Sequence, residues 1–424
     1  MPDSVFQSHT LAAYCKWRGL FWQETVSILP HSPLDLHLYF FTPPSKMDST
    51  TSSKTSVGPL QGLRIVEFAG IGPGPFAGMM LADMGADVIV VDRAADLEKA
   101  AQYPRAAMNR GKRSIALDLK SEAGRADAWA LIESADALIE GFRPGVMERL
   151  GFGPEEVAAR HPQLVYGRVT GWGQTGPLAQ AAGHDINYVA LTGVLSTSCR
   201  PGEAPVIPPT MVGDMAGGAM FLAFGVVCAL LEAQKSGRGQ VVDAAMIDGV
   251  TAMSGLIHQM RGTGFWSDRP EKNLFANSAP FYEVFECAEG QHITLGAIEP
   301  QFYAELLKRL ELDDISPAGQ YDHRAWPALK VRVAAKIKTR TRAEWQALLE
   351  GSDVCFAPVL SLAEASEHPH NVARGLFVEV NGQRQPAPAP RLSRTPARAP
   401  SPGALCGEHT KEILAELAAK KPNG

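Results

Sequence analysis

Three places along the chain set a titratable side chain beside glycines or at an expected helix start. The first is Gly183-His184-Asp185-Ile186-Asn187-Tyr188. His184 follows the glycine-punctuated loop 171–177 and precedes an apolar stretch, so it falls at a loop–helix junction. Imidazole titrates near neutrality and is the natural base there, although an isolated histidine is more often a structural residue than a base. The second place is Val212-Gly213-Asp214-Met215-Ala216-Gly217-Gly218, at the head of a long apolar stretch. Asp214 suits a plain N-cap. It also suits a partly desolvated carboxyl, whose pKa burial raises and the helix dipole lowers. First-turn N–H groups of such a helix can receive an oxyanion. The third is Glu299, just before Pro300, which fits a first helical position. Glutamate is a poor cap, so an orienting and charge-stabilising role toward a histidine competes with a capping one. Together these groups suit one chemistry. A proton on the carbon beside a thioester is weakly acidic, and inverting that carbon needs an acceptor on one face and a donor on the other. His184 and Asp214 would form such a pair, but spacing alone does not establish it.

These side chains need a scaffold, and from Gly58 the pattern turns regular. A β-rich run at 63–68, a Gly/Pro turn at 69–75, a helical stretch at 76–84 and a second strand at 86–91 make a βαβ unit. Further strands are expected at 114–119, 137–140 and 164–169, with helices at 122–134 and 154–160, giving a parallel α/β sheet. The turn Gly70-Ile71-Gly72-Pro73-Gly74-Pro75 has the setting of a dinucleotide fingerprint, with Asp92 about 20 residues on. Pro75, however, occupies the third glycine position, and the prolines remove N–H donors that a pyrophosphate would use. Arg93 ends the second strand, where open α/β sheets bind ligands, and Arg110-Gly111-Lys112-Arg113 forms a local basic cluster; either can meet phosphates or simply face solvent. An apolar helix is expected from Asp214 to about Lys235, stopped by Gly237 and Gly239. A β-hairpin at 280–296 and helices at 300–310 and 326–338 read as a smaller α+β domain. A Pro/Ala/Arg-rich strap at 385–402 then leads to a terminal amphipathic helix near 410–419. The expected organisation is an N-terminal extension at 1–57, a large domain at 58–245, linker helices at 246–279, a small domain at 280–376, and a strap with helix at 377–424. The extension ends in a Ser/Thr tract and lacks a signal-peptide pattern; Met47 is a plausible alternative start.

The bulk numbers limit the partners. The chain has 424 residues, enough for two cores, with 45% hydrophobic and 20% charged residues, as in soluble globular proteins. A net charge of −5 carries no basic excess for nucleic acid or an anionic membrane. Six cysteines lie scattered without a CxxC pair, so neither a zinc site nor a disulfide framework is expected. The apolar run 216–231 is interrupted by Gly and Ala and falls short of the roughly 20 residues of a membrane span, which favours a buried helix. A cytoplasmic location is the expectation from the missing signals.

Several separate stretches, in order, resemble the class III (formyl-CoA type) CoA-transferase superfamily. They are 62–75, Gly141-Phe142-Arg143-Pro144-Gly145-Val146, 171–177, 239–245 and 407–414. The stretches 183–188 and 296–303 narrow the resemblance to its α-methylacyl-CoA racemase branch. The resemblance covers residues 58–424 and implies a Rossmann-like large domain plus a small domain, in an interlocked homodimer. It implies an acyl-CoA substrate with no metal or redox cofactor. His184 and Asp214 become the proton-transfer residues and Glu299 the partner of the histidine. Ile71, Arg93, Gly141, Arg143, Gly183 and Tyr188 become residues that line the CoA or acyl site. The active site is expected between the large domain of one chain and the small domain of the other. The rival within the superfamily is a CoA-transferase, in which Asp214 would be a covalent nucleophile. Transfer needs no histidine at 184, whereas proton chemistry does.

Overall fold

The computed structural model describes residues 58–100 and 105–420; the N-terminal extension expected at 1–57 lies outside them. In chain order the first part runs β1 (Arg64–Phe68), α1 (Pro73–Asp83), β2 (Asp87–Arg93), β3 (Arg113–Leu117), α2 (Glu122–Glu133), β4 (Ala137–Glu140), α3 (Pro154–Arg160) and β5 (Val165–Thr170). It continues with α4 (Asp185–Leu191), a wide π-helix (Met211–Met220), α5 (Phe221–Ser236), β6 (Val241–Ala245) and α6 (Met246–Met253). The six strands form one parallel sheet in the order β3-β2-β1-β4-β5-β6.

That sheet explains why the strands are apolar at consecutive positions, as strands covered on both faces must be. Ile65 and Val88, paired in register, face a core with Ala77 and Leu81 of α1 and with Leu222 and Val226 of α5. Their neighbours Val66 and Ile89 point the other way, onto Leu131 and Ile132 of α2.

The remainder comprises β7 (Tyr282–Glu286), β8 (His292–Gly296), α7 (Pro300–Arg309), α8 (Trp326–Ile337), α9 (Arg342–Leu349) and β9 (Phe356–Pro358). These strands make a separate antiparallel sheet, β7-β8-β9, closed over a core with Phe281, Trp326 and Trp345. The hairpin β10 (Phe377–Val380) and β11 (Gln383–Pro386) precedes the terminal helix α10 (Thr410–Lys420). Ile413 and Leu417 of α10 return to the core beneath the large sheet.

Two expectations need correction. The apolar helix does not begin at Asp214. It begins three residues earlier, as a π-helix from Met211, after Thr210 turns the chain in the left-handed region at φ 54°. Glycines at 213, 217 and 218 let neighbouring segments approach that wide turn closely; a Cβ on Gly217 would lie 2.6 Å from Val250 of α6. Nor is the apolar stretch short or wholly buried. Segment Met211–Ser236 spans 26 residues and is, by length and composition, enough to cross a membrane. Its inner face packs in the sheet core, while Met220, Phe224, Val227 and Leu231 stay exposed.

The basic cluster is the second correction. Arg110 is buried on Asp83 at 2.7 Å, Lys112 is buried on Glu67 at 2.7 Å, and Arg113 pairs with Asp87 at 2.7 Å and Glu416 at 2.6 Å. The three cations face inward to fixed carboxylates, so they are spent on the fold and do not form a phosphate site.

Candidate active site

In a parallel sheet of this order the chain leaves β1 in one direction and β4 in the other, opening a crevice at their carboxyl ends. The loops after these strands, Ile71-Gly72 and Gly141-Phe142-Arg143, line a cavity of about 580 Å³ there. That volume is in the range of small-molecule sites.

Two buried ion pairs hold the loops. Glu140, the last residue of β4, accepts the Phe142 N–H at 2.7 Å with one oxygen and the Arg168 Nε at 2.7 Å with the other. Lys112 Nζ binds both oxygens of Glu67 on β1 and donates to the Pro75 carbonyl at 2.9 Å, fixing the first turn of α1. Pro73 and Pro75 occupy that turn, so the loop offers few N–H groups to a pyrophosphate, as the sequence suggested.

His184 enters the cavity from the head of α4, and Asp214 from the first turn of the π-helix. The His184 backbone N–H donates to Asn187 Oδ1 at 3.0 Å, which pins the start of α4. One atom ties the two catalytic candidates together: Asp185 Oδ2 accepts the N–H of Gly213 at 2.7 Å and of Asp214 at 2.8 Å. Those amides are therefore occupied, and the expectation that the first-turn N–H groups beside Asp214 would receive an oxyanion does not hold for them. Gly72 lies on the other side of Asp214. It has φ 72°, and its missing Cβ would stand 3.6 Å from Asp214 Oδ2.

Burial raises the pKa of Asp214, the Asp185 charge raises it further, and His184 opposes the rise. Burial likewise raises that of Tyr188, helped by Asp214 and opposed by Arg143. The Tyr188 hydroxyl donates to the Gly183 carbonyl, and its ring meets Trp172 edge-on at 4.7 Å.

The cavity thus gathers His184, Asp214, Ile71, Gly141, Arg143, Gly183 and Tyr188 from the residues singled out in the sequence. Two others lie elsewhere. Arg93 is exposed at the end of β2, where its Nε donates to Asp96 at 2.7 Å. Glu299 is exposed at the head of α7, on the smaller antiparallel unit, and does not line the cavity of its own chain. Of the three methionines considered for an acyl surface, Met215 lines the cavity; Met211 and Met220 are exposed and do not. Sequence reasoning missed Asp185 as a clamp, and Trp172 and Met246 as walls. An acidic residue at the first position of a helix was the available signal for Asp185, but its acceptor role depends on a segment 28 residues away.

A carboxyl with a raised pKa and an imidazole thus line one crevice. Residues 60–410 match the model of CoA-transferase family III, so the chain belongs to that family. Among its relatives, the mouse protein named alpha-methylacyl-CoA racemase is 43% identical over 364 residues, covering 84% of this chain and 93% of the relative. A succinate–glutarate CoA-transferase from Agrobacterium fabrum is 33% identical, covering 85% of this chain and 96% of the relative. The crystal structure of a CAIB/BAIF family protein from Brucella suis superposes with a TM-score of 0.75 at 26% identity, covering 85% of this chain and all of that one.

Proposed function

We propose that the chain racemises 2-methylacyl-CoA thioesters, interconverting their R and S forms. The observation that carries this reading is His184 and Asp214 lining one cavity; burial and the Asp185 charge raise the Asp214 pKa above its ordinary value. The 43% identity to a racemase supports it. One member of the pair removes the proton from C2, and the C–H electrons pass into the C1–C2 bond and onto the thioester oxygen. The other member, already protonated, delivers its proton to the opposite face of C2. Each turnover leaves the pair with its proton exchanged between partners, ready for the reverse direction. Acyl-CoA supplies the reacting carbon, and no step calls on a metal or redox group. Ile71, with 88% of its surface exposed, and Arg143 line the same cavity and would meet the CoA moiety.

The same reading takes the active molecule as a homodimer. The outer face of α5 exposes Met220, Phe224, Val227 and Leu231 at helical spacing, an apolar stripe that a second copy would cover. Glu299, absent from its own chain's cavity, would enter that of the second copy and orient His184 there. Arg93 would likewise meet CoA phosphate from the rim of the sheet.

The test is isotope exchange. A single enantiomer of a 2-methylacyl-CoA, incubated with the protein in heavy water without any acceptor acid, is expected to gain deuterium at C2 and lose its optical purity. CoA transfer to an added acid, with the C2 hydrogen retained, would select the transferase reading and make Asp214 a nucleophile.

A further inference from the structure

We propose that Asp185 is a positioning residue, whose single buried oxygen locks the Asp214 backbone to the His184 helix and whose charge biases the proton shared by that pair. The inference deepens the racemase reading and rests on it. Three observations carry it.

The first is geometric. Asp185 follows His184 directly and is 6% exposed, yet among the described residues its carboxylate bonds to neither a cation nor the first turn of its own helix. Oδ2 reaches across to the N–H groups of Gly213 and Asp214, at 2.7 and 2.8 Å. Neighbouring residues at the head of α4 thus do two jobs, with His184 facing the cavity and Asp185 holding the residue that His184 must work against.

The second is steric. Gly213 is the residue that permits the approach, because a Cβ there would lie 2.8 Å from Asp185 Oδ2. The glycine before Asp214 therefore has a defined purpose beyond opening the helix.

The third is electrostatic. A carboxylate with no cation beside it, close to a second carboxyl, disfavours ionisation of that carboxyl. The Asp214 pKa is raised by burial, then by Asp185, and is lowered by His184. Among the described residues, the charges that shift Asp214 are Asp185 and His184. From α1, Asp83 is paired with Arg110; from β5, Arg168 is paired with Glu140 and Glu148. Asp243 of β6 and Asp248 of α6 act on each other, the loop before α1 presents the backbone of Gly72, and Arg143 acts on Tyr188 of α4. Asp185 is thus the charge that favours the protonated form of Asp214, while His184 acts in the opposite sense.

The test compares Asp185→Asn and Asp185→Ala with the parent protein, using pH profiles of α-proton exchange from each enantiomer of a 2-methylacyl-CoA. Asparagine keeps an acceptor oxygen but removes the charge. The acid limb, where Asp214 must lose its proton to act as base, is expected to move to lower pH with KM unchanged. Alanine removes the clamp as well, and a misplacement of Asp214 by about 1 Å is expected to lower kcat about 100-fold. A parent protein that exchanges no α-proton would sink the racemase reading itself. A parent that exchanges normally while Asp185→Asn gives a superimposable pH profile would overturn the role of Asp185 alone. An Asp185→Ala variant with parental kcat would overturn the clamp.

Discussion

At the scale of single residues, the two proposed proton carriers sit in unequal environments. His184 sits exposed on a helix head, whereas Asp214 is partly desolvated beside a second carboxylate, which raises its pKa. Exchange that uses Asp214 as base is therefore expected to fall off, on acidification, at a higher pH than an ordinary aspartate of pKa about 3.9 would give. A pH–rate profile of the S and R substrates checks this. Arg143 lines the same cavity, and among the described residues its guanidinium has no ion pair or hydrogen bond. Losing a charge-assisted contact to phosphate costs about 1.5–3 kcal/mol, so Arg143→Ala should raise KM roughly ten- to a hundredfold. Because that contact is the same in ground and transition states, kcat should hold; steady-state kinetics separates the two. At this scale the glycine-flanked motifs pointed to His184 and Asp214, which line one cavity. Asp185 stood in the same motif and went unread, because its partners are backbone amides of another segment and leave no trace in composition or period.

At the scale of elements, buried ion pairs carry the loops that line the site. Lys112 is fully buried beneath the first turn of α1, held by both oxygens of Glu67 and by the Pro75 carbonyl. Replacing it with methionine leaves Glu67 buried and unpaired, a loss of about 3–5 kcal/mol measurable by denaturant titration. The double variant Glu67→Met/Lys112→Met should recover much of that loss, since removing both charges restores balance. The terminal helix α10 depends on charge as well. Hydrogen bonding from Arg113 holds the Glu416 pKa below the usual carboxylate range. A depressed folded pKa means that this stabilisation is present above the unfolded value, about 4.3, and is lost as pH falls through the folded one. Amide hydrogen exchange in α10 should therefore accelerate on acidification before exchange in the central strands does. Strands β1 to β5 and the hairpin β7–β8 were legible in the sequence, with boundaries within one or two positions, whereas β6 and β9 to β11 were not read as strands. The π-helix was not. Its glycines signalled close approach, but a widened turn and an ordinary one share the same apolar pattern. The basic run 110–113 misled for a related reason: like charges in sequence look solvated until their separate carboxylates, Asp83, Glu67 and Asp87, are seen in space.

At the scale of the whole molecule, the parallel sheet places the cavity and the antiparallel unit places Glu299, and a single chain does not unite them. If Glu299 of one copy serves His184 of another, two inactive variants should complement. Co-expressing His184→Ala and Glu299→Ala chains should yield mixed dimers in which one of the two sites is complete. Activity recovered in that mixture, and absent from either variant alone, checks the arrangement. Phe224→Glu on the exposed face of α5 should reduce the mass measured by light scattering and remove activity with it.

The most direct measurement follows the two faces of C2 separately. Each enantiomer of a 2-methylacyl-CoA is incubated in heavy water with the parent protein, His184→Ala and Asp214→Asn, and deuterium content and configuration are read together. The account predicts racemisation with exchange for the parent, and no racemisation for either variant. Any residual exchange should be confined to opposite enantiomers in the two variants. A His184→Ala protein that racemises at the parental rate would contradict it.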